Sequence, residues 1–418
     1  MQLSTERVIR PVTSWWVSLS PVVSDGFLYF GAGAFALLIG LTSNEPAQWH
    51  WGYISFASYF AASLFLFVGG RTQMASSFSL RKIVLILLVL GVVVVPLGLE
   101  THWRQNNGGH GYAQPEVSVI ERSANNVVKG TDPYTTDVKN GKVLNSIKGL
   151  PTYESFFPYF PLMSVFGLPD AITHRGFGLT DARIVMSVLT IAIGLLALRL
   201  FRTKKEKKIR LAQVLFALPT GALFLATGGD DMPILALMLL SLVALQRKQI
   251  YVSAVSIGIA SAMKLTAWPM ALGSLLALRG EAFKGKWKQF VIVVCTIVTV
   301  AIVPFALKAP HAFFANVFEF PLGLSHVTSP AASALPGHIL ASWWHPFKHI
   351  LPAGTLLIGG YFMAKYFKTH WPLTLAKMLS LLSVCFFVLM CVSSATRFGY
   401  IIYPINFALW SWATREMI

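Results

Sequence analysis

The chain has 418 residues, of which 55% are hydrophobic and only 12% charged, roughly half the charge of a soluble globular domain. Its apolar residues lie in long blocks, whereas helices of a soluble bundle would carry polar residues every few positions, so a soluble fold is excluded. The formal charge of +17 and the basic run Arg199, Arg202, Lys204, Lys205, Lys207, Lys208 and Arg210 read as a membrane-topology signal rather than a nucleic-acid surface.

Backbone groups inside a bilayer must be satisfied internally, so the apolar blocks are helices. Residues 83–99, 182–200, 289–307 and 373–391 each approach the ~20 residues that cross ~30 Å of hydrocarbon. In chain order, spans are predicted at 27–43, 52–70, 83–99, 182–200, 211–227, 232–246, 250–262, 266–278, 289–307, 350–367, 373–391 and 398–413. The short pair 250–262 and 266–278 reads as a hairpin returning to one face. The fold class is therefore an all-α polytopic membrane protein of about twelve transmembrane helices, with residues 1–418 forming a single integral membrane domain. The first block follows Met1–Asp25 without a small-residue cleavage site, which predicts a retained span. Cys295, Cys385 and Cys391 sit in or at the end of spans, with neither a disulfide framework nor metal spacing.

With the N-terminus on the cytoplasmic side, inside segments hold most of the lysines and arginines and few of the acids, while outside segments are balanced. Positive-inside orientation then puts both termini in the cytoplasm of a multi-pass cell-membrane protein. It leaves two long loops, 100–181 and 308–349, on the extracytoplasmic face, where loops of that length carry function.

In the first loop, Val117, Ile120, Ala124, Val127 and Val128 form one stripe at ~100° per residue. This predicts an amphipathic interfacial helix over 116–129, lying flat at the membrane surface. Gly130 ends it and Asp132-Pro133-Tyr134 turns the chain. Glu116 and Glu121 lie on opposite shoulders, ~140° apart, so only one can face a central cavity. Phe156-Phe157-Pro158-Tyr159-Phe160-Pro161 is dense in aromatics and proline, and reads as a broken, partly re-entrant segment or as an aromatic interface belt.

Further along, Gly228-Gly229-Asp230-Asp231 makes a tight turn whose carboxylates either serve a site or cap the helix beginning at Met232-Pro233. Lys264 departs from the positive-inside pattern at the tip of the short hairpin, and Arg397 opens the last span. Ionisable groups at span ends are costly enough to suggest a role, although snorkelling is the simpler account of Lys264. The second long loop holds His311, His326, His338, His345 and His349. Only His345 and His349 have helical ligand spacing, with Pro346 between them and no acidic partner, so no metal site and no cofactor is expected. Histidines such as His338, with Trp343 and Trp344, suit the rim of a cavity.

The stretch Glu116 to Pro161 resembles the first extracytoplasmic loop of glycosyltransferase family 87, within the GT-C superfamily of membrane glycosyltransferases. Gly130-Thr131-Asp132-Pro133-Tyr134 matches its Gly-x-x-Pro-Tyr, Glu116 stands at the place of its acidic residue, and Phe157-Pro158-Tyr159-Phe160-Pro161 resembles its aromatic-proline run. Gly229-Asp230-Asp231-Met232-Pro233, and Gly258-Ile259-Ala260 followed by Lys264 and Pro269, resemble further family motifs. Two departures stand out: glutamate replaces the family's usual aspartate, and Arg397-Phe398-Gly399-Tyr400 stands where some members have histidine.

The resemblance implies a GT-C-like enzyme moving a sugar, with inversion, from a polyprenyl-phosphate donor to an extracytoplasmic glycolipid or polysaccharide acceptor. Mannose is the sugar expected by analogy, with arabinofuranose the other plausible one. Under that reading Glu116, then Glu121, is the candidate general base. Lys264, Arg397 and Arg122 are candidates for the donor phosphate, and Asp230, Asp231, Tyr134, Tyr159 and His338 for substrate binding. The partners are then the lipid-linked donor, the acceptor and the bilayer, with no nucleic acid. A transporter or flippase of lipid-linked sugars would instead place polar residues and broken helices near the midplane, in repeated halves. A non-catalytic scaffold would leave Glu116, Lys264 and Arg397 apart.

Overall fold

The computed structural model describes residues 19–70, 77–109, 111–139, 142–173, 178–279, 283, 285–325, 327 and 329–415. His326 and the N-terminal Arg7 and Arg10 lie outside them. The described chain is mainly helical, with a single two-stranded hairpin, Asp137–Lys139 on Lys142–Leu144.

Helical segments overlap the twelve predicted spans, the one at 211–227 being interrupted at Leu218. Among the described residues, seven helices are long and apolar enough to cross a bilayer by length and composition, so the protein is a multi-pass membrane protein. Helices α1 (Pro21–Thr42) and α2 (Pro46–Gly69) form a close N-terminal hairpin. Ser20 caps α1 by accepting from the Val23 N–H, and proline fills the first turn of both helices, where its missing N–H costs nothing. Helix α3 runs Phe78–Asn106 and leads into the first long loop, which carries α4 (Pro115–Val128). Helices α5 (Ala182–Leu200) and α6 (Lys205–Thr227) follow.

Helix α7 (Asp231–Gln246) is the hub: it is too short for a full span, yet almost every side chain on it is buried. A helix apolar all round belongs inside a bundle, and α7 packs between α5 and the short α8 (Ile250–Ser261). Helix α9 (Leu265–Leu278) follows after a break at Lys264, whose backbone is extended. Helices α10 (Trp287–Lys308), α11 (Phe347–His370), α12 (Leu375–Val392) and α13 (Ile402–Thr414) complete the bundle.

The amphipathic helix lies within a residue of its predicted bounds, and the first three positions of its stripe pack on protein. Val117, Ile120 and Ala124 are fully buried against the 3₁₀ segment Pro161–Gly167. Gly167 makes that approach possible, because a Cβ there would stand 2.8 Å from Ala124 Cβ and 2.9 Å from Glu121 Cα. Protein supplies the apolar partner of these three, while Val127 is half-buried and Val128 exposed. The Phe156–Pro161 run is likewise no re-entrant helix: it passes through extended and bent backbone before that 3₁₀ turn.

Candidate active site

Four separate backbone devices bring charge to one end of the bundle. Helix α6 ends on Gly228, whose φ of +97° closes the helix in the left-handed region; a Cβ there would also strike Val117 at 2.3 Å, so glycine is required twice over. The next residues, Gly229-Asp230-Asp231, open α7. Asp230 does not cap that helix with its side chain; its carboxylate turns to Lys264 instead. The start of α4 is tied to the same turn, since Gln114 donates from its backbone N–H to the Thr227 carbonyl (3.0 Å) and from Nε2 to Thr227 Oγ1 (2.8 Å). Glu116, one residue after Pro115, is thereby held beside the acidic turn.

Lys264 enters from the break between α8 and α9. Its Nζ lies 2.6 Å from Asp230 Oδ2 and 2.5 Å from Asp231 Oδ1, over the Tyr159 ring at 5.5 Å. Tyr403 donates to Asp231 and shares a 2.7 Å hydrogen bond with Thr266. Arg397 arrives on a short strap. The Thr396 N–H donates to the Ala331 carbonyl (2.8 Å) and the Ser333 N–H to the Thr396 carbonyl (2.9 Å), joining the second long loop to the start of the last helix. From there Arg397 Nη1 donates to Glu116 Oε1 at 2.5 Å.

Glu116, Tyr159, Asp230, Asp231, Lys264 and Arg397 line one cavity of ≈ 130 Å³, together with Tyr153, Glu154, Phe224 and Tyr400. Among the described residues it holds four carboxylates, Glu116, Glu154, Asp230 and Asp231, against the two cations Lys264 and Arg397. Burial pushes Asp230 up to about 6, with Asp231 and Glu116 adding to the effect and Lys264 opposing it. Burial alone would lower Lys264, but Asp230 and Asp231 outweigh it and hold the ammonium above its ordinary value. Glu154 is also raised, by burial first, with Glu116 and Glu45 contributing against Arg122.

Glu116, Asp230, Asp231, Tyr159, Lys264 and Arg397 are thus brought together, which the scaffold expectation did not allow. Four other sequence candidates lie elsewhere. Glu121 faces the opposite side of α4 and is buried: Arg104 donates from Nη2 to its Oε2 (2.7 Å) and from Nη1 to Asp181 Oδ2 (2.8 Å), while Arg183 donates from Nη2 to the same Asp181 oxygen (2.9 Å). Arg122 donates to the Glu154 carbonyl (2.6 Å) from behind the cavity wall. Tyr134 supports that wall by donating to the Tyr159 carbonyl (2.8 Å). His338 pairs with the Ser394 carbonyl (2.8 Å), outside the cavity. Glu154 and Tyr400 were missed. Glu154 sits on a 3₁₀ turn with no periodic pattern to mark it, whereas the Gly399-Tyr400 pair beside Arg397 was a usable signal.

A second, mainly apolar groove of ≈ 860 Å³ opens beside the cavity. It shares Gln114, Glu116, Tyr153, Phe224 and Arg397 with it and continues along α1, α6 and α13.

Fold and site define a multi-pass membrane protein with a charged cavity at one end of its bundle, opening sideways into an apolar groove. The family model of glycosyltransferase family 87 matches residues 157–394, and the chain belongs to that family. The match takes in Tyr159, Asp230, Asp231 and Lys264; Glu116 and Arg397 lie outside it. The crystal structure of ArnT from Cupriavidus metallidurans bound to undecaprenyl phosphate is similar at 18% identity and a TM-score of 0.45, over 78% of this chain and 59% of that one. No curated protein matches the chain.

Proposed function

We propose that this glycosyltransferase takes its sugar from a polyprenyl-phosphate carrier and passes it, with inversion, to a glycolipid or polysaccharide acceptor on the extracytoplasmic face. The observation that carries this reading is the junction at Arg397, where a cavity rich in ionisable groups meets a groove lined mainly by hydrocarbon. A lipid phosphate has that division: an anionic head and an apolar tail.

Lys264 gives two of its three donors to Asp230 and Asp231, and its assigned part is to hold the acidic turn in place. Arg397 is the phosphate ligand. Its guanidinium has five donors in a planar fork, and among the described contacts only Nη1 is engaged, by Glu116. The acceptor hydroxyl attacks the anomeric carbon while Glu116 takes its proton. The bond from that carbon to the phosphate oxygen breaks, its electrons leave with polyprenyl phosphate, and Arg397 stabilises the charge that develops. A phosphate leaving group needs no general acid. Asp230, Asp231 and Tyr159 line the space for the sugar. Mannose is the proposed sugar.

The route from the cavity into the membrane is apolar, which suits a lipid tail and not the passage of a sugar through a transporter. Purified protein in nanodiscs, given radiolabelled polyprenyl-phosphate mannose, arabinofuranose and glucose with membrane extract, tests the reading. Transfer from one donor that is abolished in Glu116→Gln is the expected result. Absence of transfer from any of them, with transport of a lipid-linked sugar across proteoliposomes instead, overturns it.

A further inference from the structure

The groove exists because two elements are built around each other. Helix α6 is broken at mid-span: a π-helical turn over Gln213–Ala217 gives way to extended backbone at Leu218, and Pro219 restarts the helix. Irregular backbone at membrane depth persists only where protein or a cavity accommodates it. Here the N-terminal hairpin does so, as Tyr59 on α2 donates to the Ala217 carbonyl freed by the break (2.5 Å). On the other side of the hairpin, α1 forms the groove's facing wall, from Ile39 down to Phe27, a run of about 18 Å at 1.5 Å per residue. Glu45 and Gln48, just past the end of α1, stand at the mouth beside Glu116 and Tyr153.

That wall has a gap in it. Gly31 is exposed to the groove between Phe27 and Phe35, and a Cβ built on it would meet nothing within 4 Å. The hairpin lies wholly outside residues 157–394, the part matched by the family. We infer that the hairpin α1–α2 reads the tail of the lipid carrier, with Gly31 leaving the lane along which an extended isoprenoid chain lies. This rests on the lipid-phosphate reading of the adjoining cavity and adds which part of the ligand the hairpin selects. Moving a tail from bilayer to groove gains little hydrophobic energy, since lipid is equally apolar; selection comes from shape and contact. A long tail must therefore lose affinity when the lane is filled, and a tail too short to reach Gly31 must not.

The test is direct binding of undecaprenyl phosphate and of farnesyl phosphate to the full chain in nanodiscs, for wild type, Gly31→Ala, Gly31→Trp and Arg397→Ala. Gly31→Trp is expected to weaken undecaprenyl phosphate about tenfold or more and leave farnesyl phosphate unchanged, while Gly31→Ala binds both as wild type does. Should Gly31→Trp fail to fold, Gly31→Leu supplies the same contrast. Equal weakening of both lipids, or of neither, overturns the inference, the second result meaning that the groove holds only ordinary bilayer lipid. Failure of the underlying reading is separate: Arg397→Ala would then leave the binding of both phosphates intact.

Discussion

Glu116 and Arg397 hold each other at 2.5 Å, and their replacement should separate two steps of one reaction. Glu116→Gln keeps the shape and a hydrogen bond but removes the base. Turnover should fall by roughly 10²–10⁴ with polyprenyl-phosphate binding retained, as measured by transfer rate against direct binding. Arg397→Lys keeps the charge but loses the planar fork, so apparent donor affinity should fall before turnover does. Asp230 gives a stability prediction. Its carboxyl is raised from 3.8 to about 6, so between those values the folded protein binds more protons than the unfolded chain. Unfolding free energy then falls as pH rises through that window, and the group's favourable contribution is fully present only below it. Thermal unfolding in detergent should show this slope in wild type and a shallower one in Asp230→Asn, where Glu154, also raised, still contributes. At this scale the sequence marked the acidic turn, Lys264 and Arg397, because charged residues are rare in so apolar a chain. It did not show that Lys264 would pair with both Asp230 and Asp231, since the extended backbone at that residue leaves no trace in composition.

Helix α4 shows what periodicity can and cannot decide. The ~140° between Glu116 and Glu121 correctly required that only one face the cavity. Which one depends on Arg104, near the end of α3, and Asp181, just before α5, neither of which any local pattern connects to the helix. Glu121 is buried with Arg104 and Asp181, and its Oε1 also accepts from the Ala182 N–H at 3.2 Å. The network pins α4 against α3 and α5 and so fixes the direction in which Glu116 points. Breaking a buried ion pair by removing one partner costs about 3–5 kcal/mol. Glu121→Gln should therefore lower thermal stability markedly, while turnover per folded molecule stays within a few-fold of wild type. A loss of turnover as deep as that of Glu116→Gln, in protein of unchanged melting temperature, would return Glu121 to the chemistry. The stripe meets protein at Val117, Ile120 and Ala124 and is open at Val128 for a related reason: amphipathicity states that an apolar partner exists, not whether it is bilayer or protein.

Across the whole molecule the helix pattern was legible, because hydrocarbon dictates long apolar runs and leaves no other way to satisfy the backbone. The groove was not, since it arises from a break in α6 that becomes a feature only when Tyr59 and α1 close around it. Orientation rests on a charge separation along α1. Near the start of this helix Asp25 is buried against Arg81 (2.6 Å) and Arg210 (2.5 Å); just beyond its far end Glu45 lines the mouth of the groove beside Glu116. Twenty-two residues of helix separate the two ends by about 33 Å, close to the thickness of a hydrocarbon core. The run Arg199–Arg210 therefore belongs to the end opposite the cavity, and by positive-inside bias we propose that this end is cytoplasmic. Lys129, exposed at the end of α4, and Lys205, exposed at the start of α6, are suitable reporters. In a background with Cys295, Cys385 and Cys391 replaced by alanine, Lys129→Cys should react with a membrane-impermeant maleimide on intact cells, and Lys205→Cys only after permeabilisation. The reverse pattern would place the cavity in the cytoplasm, where a nucleotide-sugar donor would become the one to test.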